Sequence, residues 1–376
     1  MQQNLQQHKY RFIISGGGTG GHIFPAIAIA EALSFKTGKP EILFIGARGR
    51  MEMEKVPQAG YPIKGLWISG LQRKISVKNI LFPLKVVWSM FIARKIIKTF
   101  NPDVVIGTGG YASGPTLKMA ASLGIPTVIQ EQNSFPGITN RMLAGKASRI
   151  CVAYEGMEKY FPADKIVFTG NPVRVNILEN KGSKDEGLKY FGLEPGRTTV
   201  LIVGGSQGAR SVNQAISRIL GDLTDNNIQL IWQTGPVFYP QACEIIERLK
   251  PDSGKYVKAL PFIQMMEQAY NAADIVVSRA GAIAISELCI AGKPAILVPL
   301  PTAAEDHQMK NARALAEKNA AIVVADHELN KNLKPAILET TQNIHRQKEL
   351  ARNIAGLAVK DSASRIADEI LKILKK

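Results

Sequence analysis

Cysteine is scarce in this sequence, which has only Cys151, Cys243 and Cys289 among 376 residues. The three are far apart and form no Cys-x-x-Cys pair, so neither a disulfide framework nor a cysteine-based metal site is indicated. Long apolar stretches are also missing. No uninterrupted run approaches the ~18 to 20 residues that span a bilayer, and the N-terminal segment is polar, without the apolar core of a signal peptide. We therefore expect structural thiols in a reducing compartment and a soluble or peripheral protein.

Acidic residues are outnumbered as well, since 31 Asp and Glu stand against 47 Lys and Arg and give a formal charge of +16. Such an excess favours an anionic partner, which is a nucleic acid, a membrane surface or a phosphorylated substrate. The sequence contains no Asp-x-Asp pair. A bound diphosphate would therefore be neutralised by helix ends, backbone amides and Arg174 rather than by a divalent cation.

What the sequence does have is a glycine-rich stretch between a predicted strand and a predicted helix. Residues 12–14 are an apolar run typical of a buried strand, and the apolar segment that includes Pro25 predicts a helix. This order brings backbone N–H groups and the positive end of a helix dipole together, which suits an anion. Gly16, Gly18 and Gly21 also match the Gly-x-Gly-x-x-Gly pattern of dinucleotide-binding folds.

That dinucleotide interpretation requires an acidic residue about 20 positions further on to hold ribose hydroxyls. The second predicted strand ends at Ile45-Gly-Ala-Arg48 without a carboxylate. Arg48 and Arg50 would instead suit the 2′-phosphate of NADP, so an NADP-dependent oxidoreductase stays open at this point.

His22 follows the glycines at the start of the predicted helix. One interpretation makes it a hydrogen-bonded turn residue. In the functional interpretation the helix N-terminus disfavours the imidazolium form, and the neutral ring can accept a proton near pH 7. A neutral base of this kind suits removal of a proton from an attacking hydroxyl.

Strands and helices alternate along the chain, which predicts an α/β fold of right-handed βαβ units with parallel sheets. The pattern restarts at Thr198 with a second strand, glycine turn and helix. Further strands are predicted at 41–45, 103–106, 126–130, 149–153, 165–168, 228–233, 256–259, 275–278 and 295–298. The glycine and polar clusters fall at the carboxyl ends of strands, where open α/β sheets bind ligands.

The domain boundary is predicted near Gly170-Asn-Pro172, which gives domains of 1–172 and 173–357 with a cleft between facing glycine loops. The segment 358–376 contains an amphipathic helix, because Ile366, Ile370 and Ile373 share one face at helical spacing. We expect this helix to pack back on the first domain.

A second candidate site lies in the second half, where a predicted strand ends at Ser278, residues 280–282 turn and a helix follows. The helix N-terminus could cap a diphosphate. Glu287, about a turn and a half further on, could accept hydrogen bonds from two vicinal ribose hydroxyls. The alternative is a carboxylate on the helix surface. Residues 305–307, Glu-Asp-His, invite a metal interpretation, but adjacent side chains at a helix start diverge and no second ligand cluster is evident.

Residues 74–98 are predicted to be largely a core helix, yet they carry more apolar residues than one buried face requires, with lysines on either side. Basic residues around an exposed apolar patch suit an anionic membrane surface. The predicted membrane patch consists of Lys74, Lys78, Ile80, Leu81, Phe82, Leu84, Lys85 and Trp88.

The order of motifs resembles that of the MurG family. These motifs are Gly17-Gly-Thr-Gly-Gly-His-Ile-Phe-Pro25, Gly107-Thr-Gly-Gly-Tyr111, Gln130-Glu-Gln-Asn133, Gly170-Asn-Pro-Val-Arg174, Gly204-Gly-Ser-Gln-Gly-Ala209, and Arg279-Ala-Gly-Ala with Ser286-Glu287. The resemblance implies a GT-B glycosyltransferase with two Rossmann-like domains. It further implies inverting transfer of N-acetylglucosamine from its UDP ester to the C4 hydroxyl of the muramoyl-pentapeptide on undecaprenyl diphosphate. The missing Asp-x-Asp pair predicts that this transfer is independent of metal ions.

The resemblance also implies roles for residues at matching positions. The first domain would be the acceptor and membrane side, and the second would bind the UDP-sugar. His22 is the candidate base, and Ile263 would contact the uracil through its backbone. The other implied substrate-binding residues are Thr19, Gly20, Gly21, Asn133, Arg174, Ser206, Ala282, Ile283, Ala284, Ile285, Ser286, Glu287 and Gln308.

The implied partners are UDP-N-acetylglucosamine, the undecaprenyl-linked muramoyl-pentapeptide, an anionic membrane and cell-wall synthesis proteins, with no cofactor and no nucleic acid. The implied location is peripheral, on the cytoplasmic face of the bacterial inner membrane. Two alternatives stay open beside the oxidoreductase. One is a UDP-sugar:diacylglycerol glycosyltransferase of the same fold, and the other is a non-catalytic nucleotide-sugar-binding protein.

Overall fold

The computed structural model describes residues 9–70, 82–250 and 252–374, apart from the side chain of Ala304. The chain divides into two units. The first unit runs up to Val173 and also includes the segment from Asp361, and the second unit is Arg174–Lys360.

The first unit is built on a sheet of seven parallel strands in the order β3-β2-β1-β4-β5-β6-β7. Its strands are β1 Arg11–Gly16, β2 Glu41–Ala47, β3 Ile63–Leu66, β4 Val104–Gly109, β5 Thr127–Glu131, β6 Arg149–Val152 and β7 Ile166–Phe168. Its helices before Val173 are α1 Gly20–Thr37, α2 Glu52–Gln58, α3 Phe82–Phe100, α4 Ser113–Ser122 and α5 Ile138–Leu143.

Alternation along β1 places apolar side chains on both faces of this sheet. Phe12 and Ile14 join the core that includes α1, whereas Ile13 joins the core that includes α3 and α4. A central parallel strand buried on both faces requires a continuous apolar run, and residues 12–14 provide one. The order of the sheet changes direction between β1 and β4, and the glycine loop after β1 lies at that switch point, where open sheets bind ligands.

The second unit contains a six-stranded parallel sheet in the order β10-β9-β8-β11-β12-β13. Its strands are β8 Thr198–Val203, β9 Ile228–Gln233, β10 Val257–Leu260, β11 Ile275–Ser278, β12 Ala295–Leu297 and β13 Ile322–Val323. Its helices are α6 Val175–Leu178, α7 Lys184–Phe191, α8 Arg210–Asp225, α9 Tyr239–Glu247, α10 Met266–Ala272, α11 Ala282–Ala291, α12 His307–Ala316, α13 Leu329–Gln342 and α14 Ile344–Ala355. Its switch point lies between β8 and β11.

The last described helix, α15 Ser362–Leu374, returns to the first unit and packs on α1. Ile366 and Ile370 are fully buried in the core that Phe12 and Ile14 also enter. Burial of such a side chain contributes about 1.5–3 kcal/mol, so these two isoleucines favour packing of the helix on this unit. Arg149 of β6 and Glu369 add an ion pair at 3.6 Å.

Two of the cysteines are buried in these cores. Burial raises the pKa of both the Cys151 and the Cys289 thiol to about 12. Both side chains therefore stay protonated near neutral pH and behave as small apolar groups.

Candidate active site

The first glycine loop connects β1 to α1 and carries four of the predicted site residues. Thr19 is the N-cap of α1, Gly20 and Gly21 begin the helix, and His22 lies in its first turn. The backbone N–H of His22 donates to the carbonyl of Thr19 at 3.1 Å, and its own carbonyl accepts from the Thr108 hydroxyl of β4 at 2.8 Å. His22 is thus fixed between the two strands that flank the switch point.

The contacts of the His22 ring determine which nitrogen carries the proton. Nδ1 lies 3.1 Å from the carbonyl oxygen of Gly17 and 3.3 Å from the Thr19 hydroxyl. Because a carbonyl oxygen can only accept, Nδ1 must donate to it, and the neutral ring then has its lone pair on Nε2. This is the tautomer that a general base working through Nε2 requires.

Glu52, at the start of α2, forms a hydrogen bond with this loop. The sequence analysis did not identify this residue. Its side chain is fully buried. One carboxylate oxygen accepts from the backbone N–H of Gly18 at 3.0 Å, and the other accepts from that of Ala47 at 2.9 Å. Two backbone donors compensate the buried charge and tie the loop to the end of β2.

The ends of β4, β5 and β7 are joined by buried amide side chains. Gln132 donates to the carbonyl of Thr108 at 2.7 Å, and Asn171 donates to the carbonyl of Gln132 at 3.0 Å. Gln130 donates to the Asn171 side chain at 3.0 Å. This network fixes the carboxyl ends of these strands beside the first glycine loop.

Asn133, a predicted sugar contact, is held at the same carboxyl end of the sheet by Glu131. The Asn133 backbone and side chain donate to this carboxylate at 3.0 and 3.1 Å, and the Asn140 side chain donates at 2.8 Å. Burial raises the pKa of Glu131, although these hydrogen bonds act in the opposite direction. The first unit therefore brings Thr19, Gly20, Gly21, His22 and Asn133 to one end of its sheet.

In the second unit, Arg174 and Glu287 form a bidentate ion pair. Arg174 Nε lies 2.8 Å from one Glu287 oxygen and Nη2 lies 2.9 Å from the other, while the Tyr270 hydroxyl donates at 3.3 Å. Glu287 is only 6% exposed, so the alternative of a carboxylate on the helix surface is wrong. The sequence indicated both residues but gave no signal for their pairing.

This pairing sets the charge state of the cluster. Burial lowers the pKa of Arg174, but the hydrogen bonds and charge of Glu287 outweigh burial and raise the pKa above its ordinary value. Burial and the Glu287 charge raise the pKa of Tyr270 well above its ordinary range. The cluster is therefore a cation, an anion and a neutral phenol that donates.

The remaining predicted residues of this unit lie on loops and helix starts. Gly281 is the N-cap of α11. The first two turns of this helix contain the predicted residues Ala282, Ile283, Ala284, Ile285, Ser286 and Glu287. Ser206 is exposed in the loop between β8 and α8. The backbone N–H of Ile263 donates to the Gln233 side chain at 2.8 Å.

Gln308 stands at the start of α12, where its side-chain oxygen accepts from the backbone N–H of Leu300 at 2.9 Å. Glu305 and Asp306 just before it have φ values of 50° and 58°. Consecutive left-handed residues that are not glycine are uncommon and cost of order 1–3 kcal/mol each. This backbone strain is located in the turn that directly precedes α12 and Gln308.

One face of α3 is unusually apolar for a solvent-facing surface. Leu84, Val87, Trp88 and Phe91 are each between 52% and 65% exposed. Lys85 lies 5.4 Å from the centre of the Trp67 ring, which is itself exposed. The sequence interpretation missed Trp67, Val87 and Phe91, and the predicted residues Lys74, Lys78, Ile80 and Leu81 lie outside the described residues.

Two kinds of feature are absent from the described part of the chain. Within it, no helix is long and apolar enough to cross a bilayer. Nor does it contain a group of three or more His, Cys, Asp or Glu side chains placed to hold a metal ion, and residues 305–307 are no exception.

Comparison with known proteins adds independent findings. The models of the glycosyltransferase family 28 N-terminal and C-terminal domains match residues 12–152 and 199–366. The chain is 54% identical to the UDP-N-acetylglucosamine–N-acetylmuramyl-(pentapeptide) pyrophosphoryl-undecaprenol N-acetylglucosamine transferase of Parabacteroides distasonis, with 98% of this chain and 99% of that relative covered. It is 52% identical to the protein of the same name from Cytophaga hutchinsonii, with 98% of both covered. The crystal structure of Acinetobacter baumannii MurG is similar at a TM-score of 0.76 and 28% identity, with 97% of this chain and 99% of that one covered.

Proposed function

Because the chain belongs to the glycosyltransferase family 28 of UDP-N-acetylglucosamine–N-acetylmuramyl-(pentapeptide) pyrophosphoryl-undecaprenol N-acetylglucosamine transferases, we propose that it completes the lipid-linked peptidoglycan precursor. It transfers N-acetylglucosamine from UDP to the C4 hydroxyl of the muramoyl sugar. The two parallel-sheet units are the Rossmann-like domains of a GT-B glycosyltransferase, as predicted from the sequence. The oxidoreductase and diacylglycerol alternatives receive no support from the relatives' names.

In the proposed reaction, the acceptor hydroxyl attacks the anomeric carbon from the face opposite the leaving group. The bond from that carbon to the UDP oxygen breaks as the new glycosidic bond forms, so the anomeric configuration inverts. The hydroxyl proton passes to His22 Nε2. The single observation that carries this role is the contact of Nδ1 with the Gly17 carbonyl, which assigns the lone pair to Nε2.

The donor side of the proposal rests on the second unit. Glu287 accepts from the ribose hydroxyls, and the N-terminus of α11 with Arg174 and Ser206 faces the diphosphate. Ile263 reads the uracil through its backbone, and Gln308 contacts the sugar hydroxyls. The bidentate pair holds Arg174 in one orientation before the nucleotide arrives, which reduces the side-chain entropy lost on binding.

A thermal-shift panel tests the choice of donor. It compares UDP-N-acetylglucosamine, UDP-glucose, UDP and NADP as ligands of the purified protein. A ligand at 100 times its dissociation constant stabilises the folded state by about 2.7 kcal/mol, so the uridine ligands should raise the melting temperature clearly. Stabilisation by NADP and not by UDP would overturn the proposal.

We also propose that the exposed apolar face of α3 contacts an anionic membrane, because a polyprenyl-linked acceptor stays in the bilayer. Trp88 and Phe91 supply apolar surface area, and their ring centres lie 6.1 Å apart. Lys85 and the exposed Arg94, Lys95 and Lys98 of the same helix supply positive charge. Each basic residue near such a surface contributes about 1 kcal/mol, a contribution that salt screens. We propose accordingly a peripheral location at the cytoplasmic face of the inner membrane.

The Leu84→Ser, Trp88→Ser and Phe91→Ser triple variant tests this surface. Loss of three apolar side chains should reduce co-sedimentation with phosphatidylglycerol vesicles at least about tenfold. Activity on a short-chain soluble acceptor should persist. Phe35→Ser is the matched control, since Phe35 is a 92% exposed aromatic on a different helix of the same unit. Equal sedimentation of the triple variant and the control would place the membrane face elsewhere.

A further inference from the structure

Glu52 has no role in the proposed reaction, yet the fold gives it a site of its own. Its fully buried side chain reaches the Gly18 N–H across 34 positions of sequence. The space that it fills exists because two neighbours lack side chains. A Cβ on Gly17 would lie 2.1 Å from a Glu52 carboxylate oxygen, and a Cβ on Gly46 would lie 2.6 Å from Glu52 Cγ.

One peptide group connects this carboxylate to the histidine ring. The N–H of Gly18 and the C=O of Gly17 belong to the same peptide unit. The N–H donates to Glu52 at 3.0 Å, and the C=O lies 3.1 Å from His22 Nδ1. The three groups therefore form a continuous hydrogen-bonded chain of carboxylate, peptide and imidazole.

Such a chain has a definite electrical consequence. The carboxylate draws the peptide proton towards itself, and electron density shifts towards the carbonyl oxygen, since hydrogen bonds in series polarise one another. A more negative carbonyl oxygen holds the Nδ1 proton more firmly. It also stabilises the positive charge that the ring acquires when Nε2 takes up a proton. A carboxylate hydrogen-bonded directly to the catalytic histidine of a serine protease does the same work.

We propose that Glu52 is a positioning residue that acts on His22 through the Gly17–Gly18 peptide. It fixes the ring orientation and the Nδ1–H tautomer, and it raises the basicity of Nε2. This inference rests on the proposed function, in which His22 is the general base.

The test is Glu52→Gln, which keeps the shape of the side chain and removes its charge. We expect kcat to fall about 10–100-fold, by analogy with the loss that follows removal of the orienting partner of a metal-binding histidine, with the KM for the donor nearly unchanged. The acid limb of the pH profile of kcat/KM should move to lower pH. The reason is that imidazolium is less stable without the carboxylate, so the ring stays neutral to lower pH. Glu54→Gln, an exposed glutamate on the same helix, should match the wild type.

Variants of His22 separate the two hypotheses. If Glu52 acts through His22, the double variant Glu52→Gln with His22→Gln should be no slower than His22→Gln alone. Additive losses, or a slower Glu52→Gln enzyme with an unmoved acid limb, would reduce Glu52 to a structural role. A Glu52→Gln enzyme within twofold of wild type, beside an impaired His22→Gln enzyme, would overturn the relay alone. An unimpaired His22→Gln enzyme would overturn the base assignment and the relay with it.

A measurement on the wild-type protein covers the case in which Glu52→Gln does not fold. Nitrogen-15 spectra of histidine-labelled protein should show the neutral His22 ring protonated on Nδ1. Protonation on Nε2 would contradict the relay whatever the variants do.

Discussion

The glycine loops after β1 and after β8 share a sequence pattern, but opposite kinds of polar group hold them. In the first loop the Glu52 carboxylate accepts from the N–H of Gly18 at 3.0 Å. In the second the Gln233 side chain donates to the carbonyl of Gly205 at 2.9 Å. The first loop thus has an anion built into the fold, whereas the second is tied through a carbonyl oxygen.

This difference shows that a repeated motif need not repeat its chemistry. A loop whose N–H already serves an internal carboxylate is a poor cradle for a phosphate, and it is better suited to orient His22. A loop anchored through a carbonyl oxygen does not use a backbone N–H for that contact, so its N–H groups are better suited to an incoming anion. Ser206 is exposed in this loop. Gln233 also accepts from the N–H of Ile263, so one amide connects the second loop to the proposed uracil contact.

The largest effect should follow removal of the proposed base, His22, from the first loop. His22→Ala should lower kcat by about 10² to 10⁴, the range typical of a general base, while the affinity for UDP stays nearly unchanged. Steady-state kinetics and UDP titration measure the two quantities. His345→Ala, an exposed histidine on α14, is the control. A His22→Ala enzyme within a few-fold of wild type would return His22 to a structural role.

The corresponding change in the second unit should affect binding rather than chemistry. Glu287→Ala removes a charged acceptor and leaves Arg174 without its bidentate partner, a loss of about 1.5–3 kcal/mol. We expect UDP to bind roughly tenfold to a hundredfold more weakly and the KM for the donor to rise, as calorimetry and kinetics would show. Glu244→Ala on α9, whose side chain is 65% exposed, should bind UDP normally. Unchanged UDP affinity in a folded Glu287→Ala protein would remove Glu287 from the site.

A smaller effect, on stability, is expected within the second loop itself. Gly208 has φ of +77°, and a Cβ there would lie 2.0 Å from the Thr234 carbonyl oxygen, whereas Gly196 has φ of +83° with open space around it. Gly196→Ala should therefore destabilise by about 1–2 kcal/mol for its backbone conformation alone. In Gly208→Ala, the clash with the Thr234 carbonyl should lower the free energy of unfolding by about 1–3 kcal/mol more. Equal melting temperatures for the two variants would show that the loop is not held against Thr234.

The smallest effect should follow removal of divalent ions. If helix N-termini, backbone amides and Arg174 neutralise the diphosphate, excess EDTA should change turnover of a metal-stripped preparation by less than about twofold once ionic strength is matched. A loss of activity that only a divalent cation restores would show that the second loop and its surroundings do not suffice.

The central strands were predictable because buried parallel strands need continuous apolar runs. Residues 228–233 and 275–278 were placed with the bounds that β9 and β11 have in the structure. Strands β3 and β13 were missed. Both lie at sheet edges, where Lys64 and Gly65 interrupt one run and only two residues form the other, so neither carries a buried-strand pattern.

The polar supports of the site were beyond sequence reasoning for a different reason. Glu52 sits in Met51-Glu-Met-Glu54, a pattern that indicates an exposed helix start, and its burial depends on the absent side chains of Gly17 and Gly46. The Arg174–Glu287 pair joins residues 113 positions apart. Such contacts follow from the tertiary arrangement of the chain, which periodicity and local spacing do not encode.

The most direct test of the proposed function is to incubate the purified protein with UDP-N-acetylglucosamine and undecaprenyl-diphospho-muramoyl-pentapeptide, and then to characterise the lipid product by mass spectrometry and NMR. We expect release of one UDP for each N-acetylglucosamine transferred and a β-linkage to the C4 oxygen of the muramoyl sugar. Transfer to diacylglycerol in place of this acceptor, or a product with an α-linkage, would contradict the proposed function.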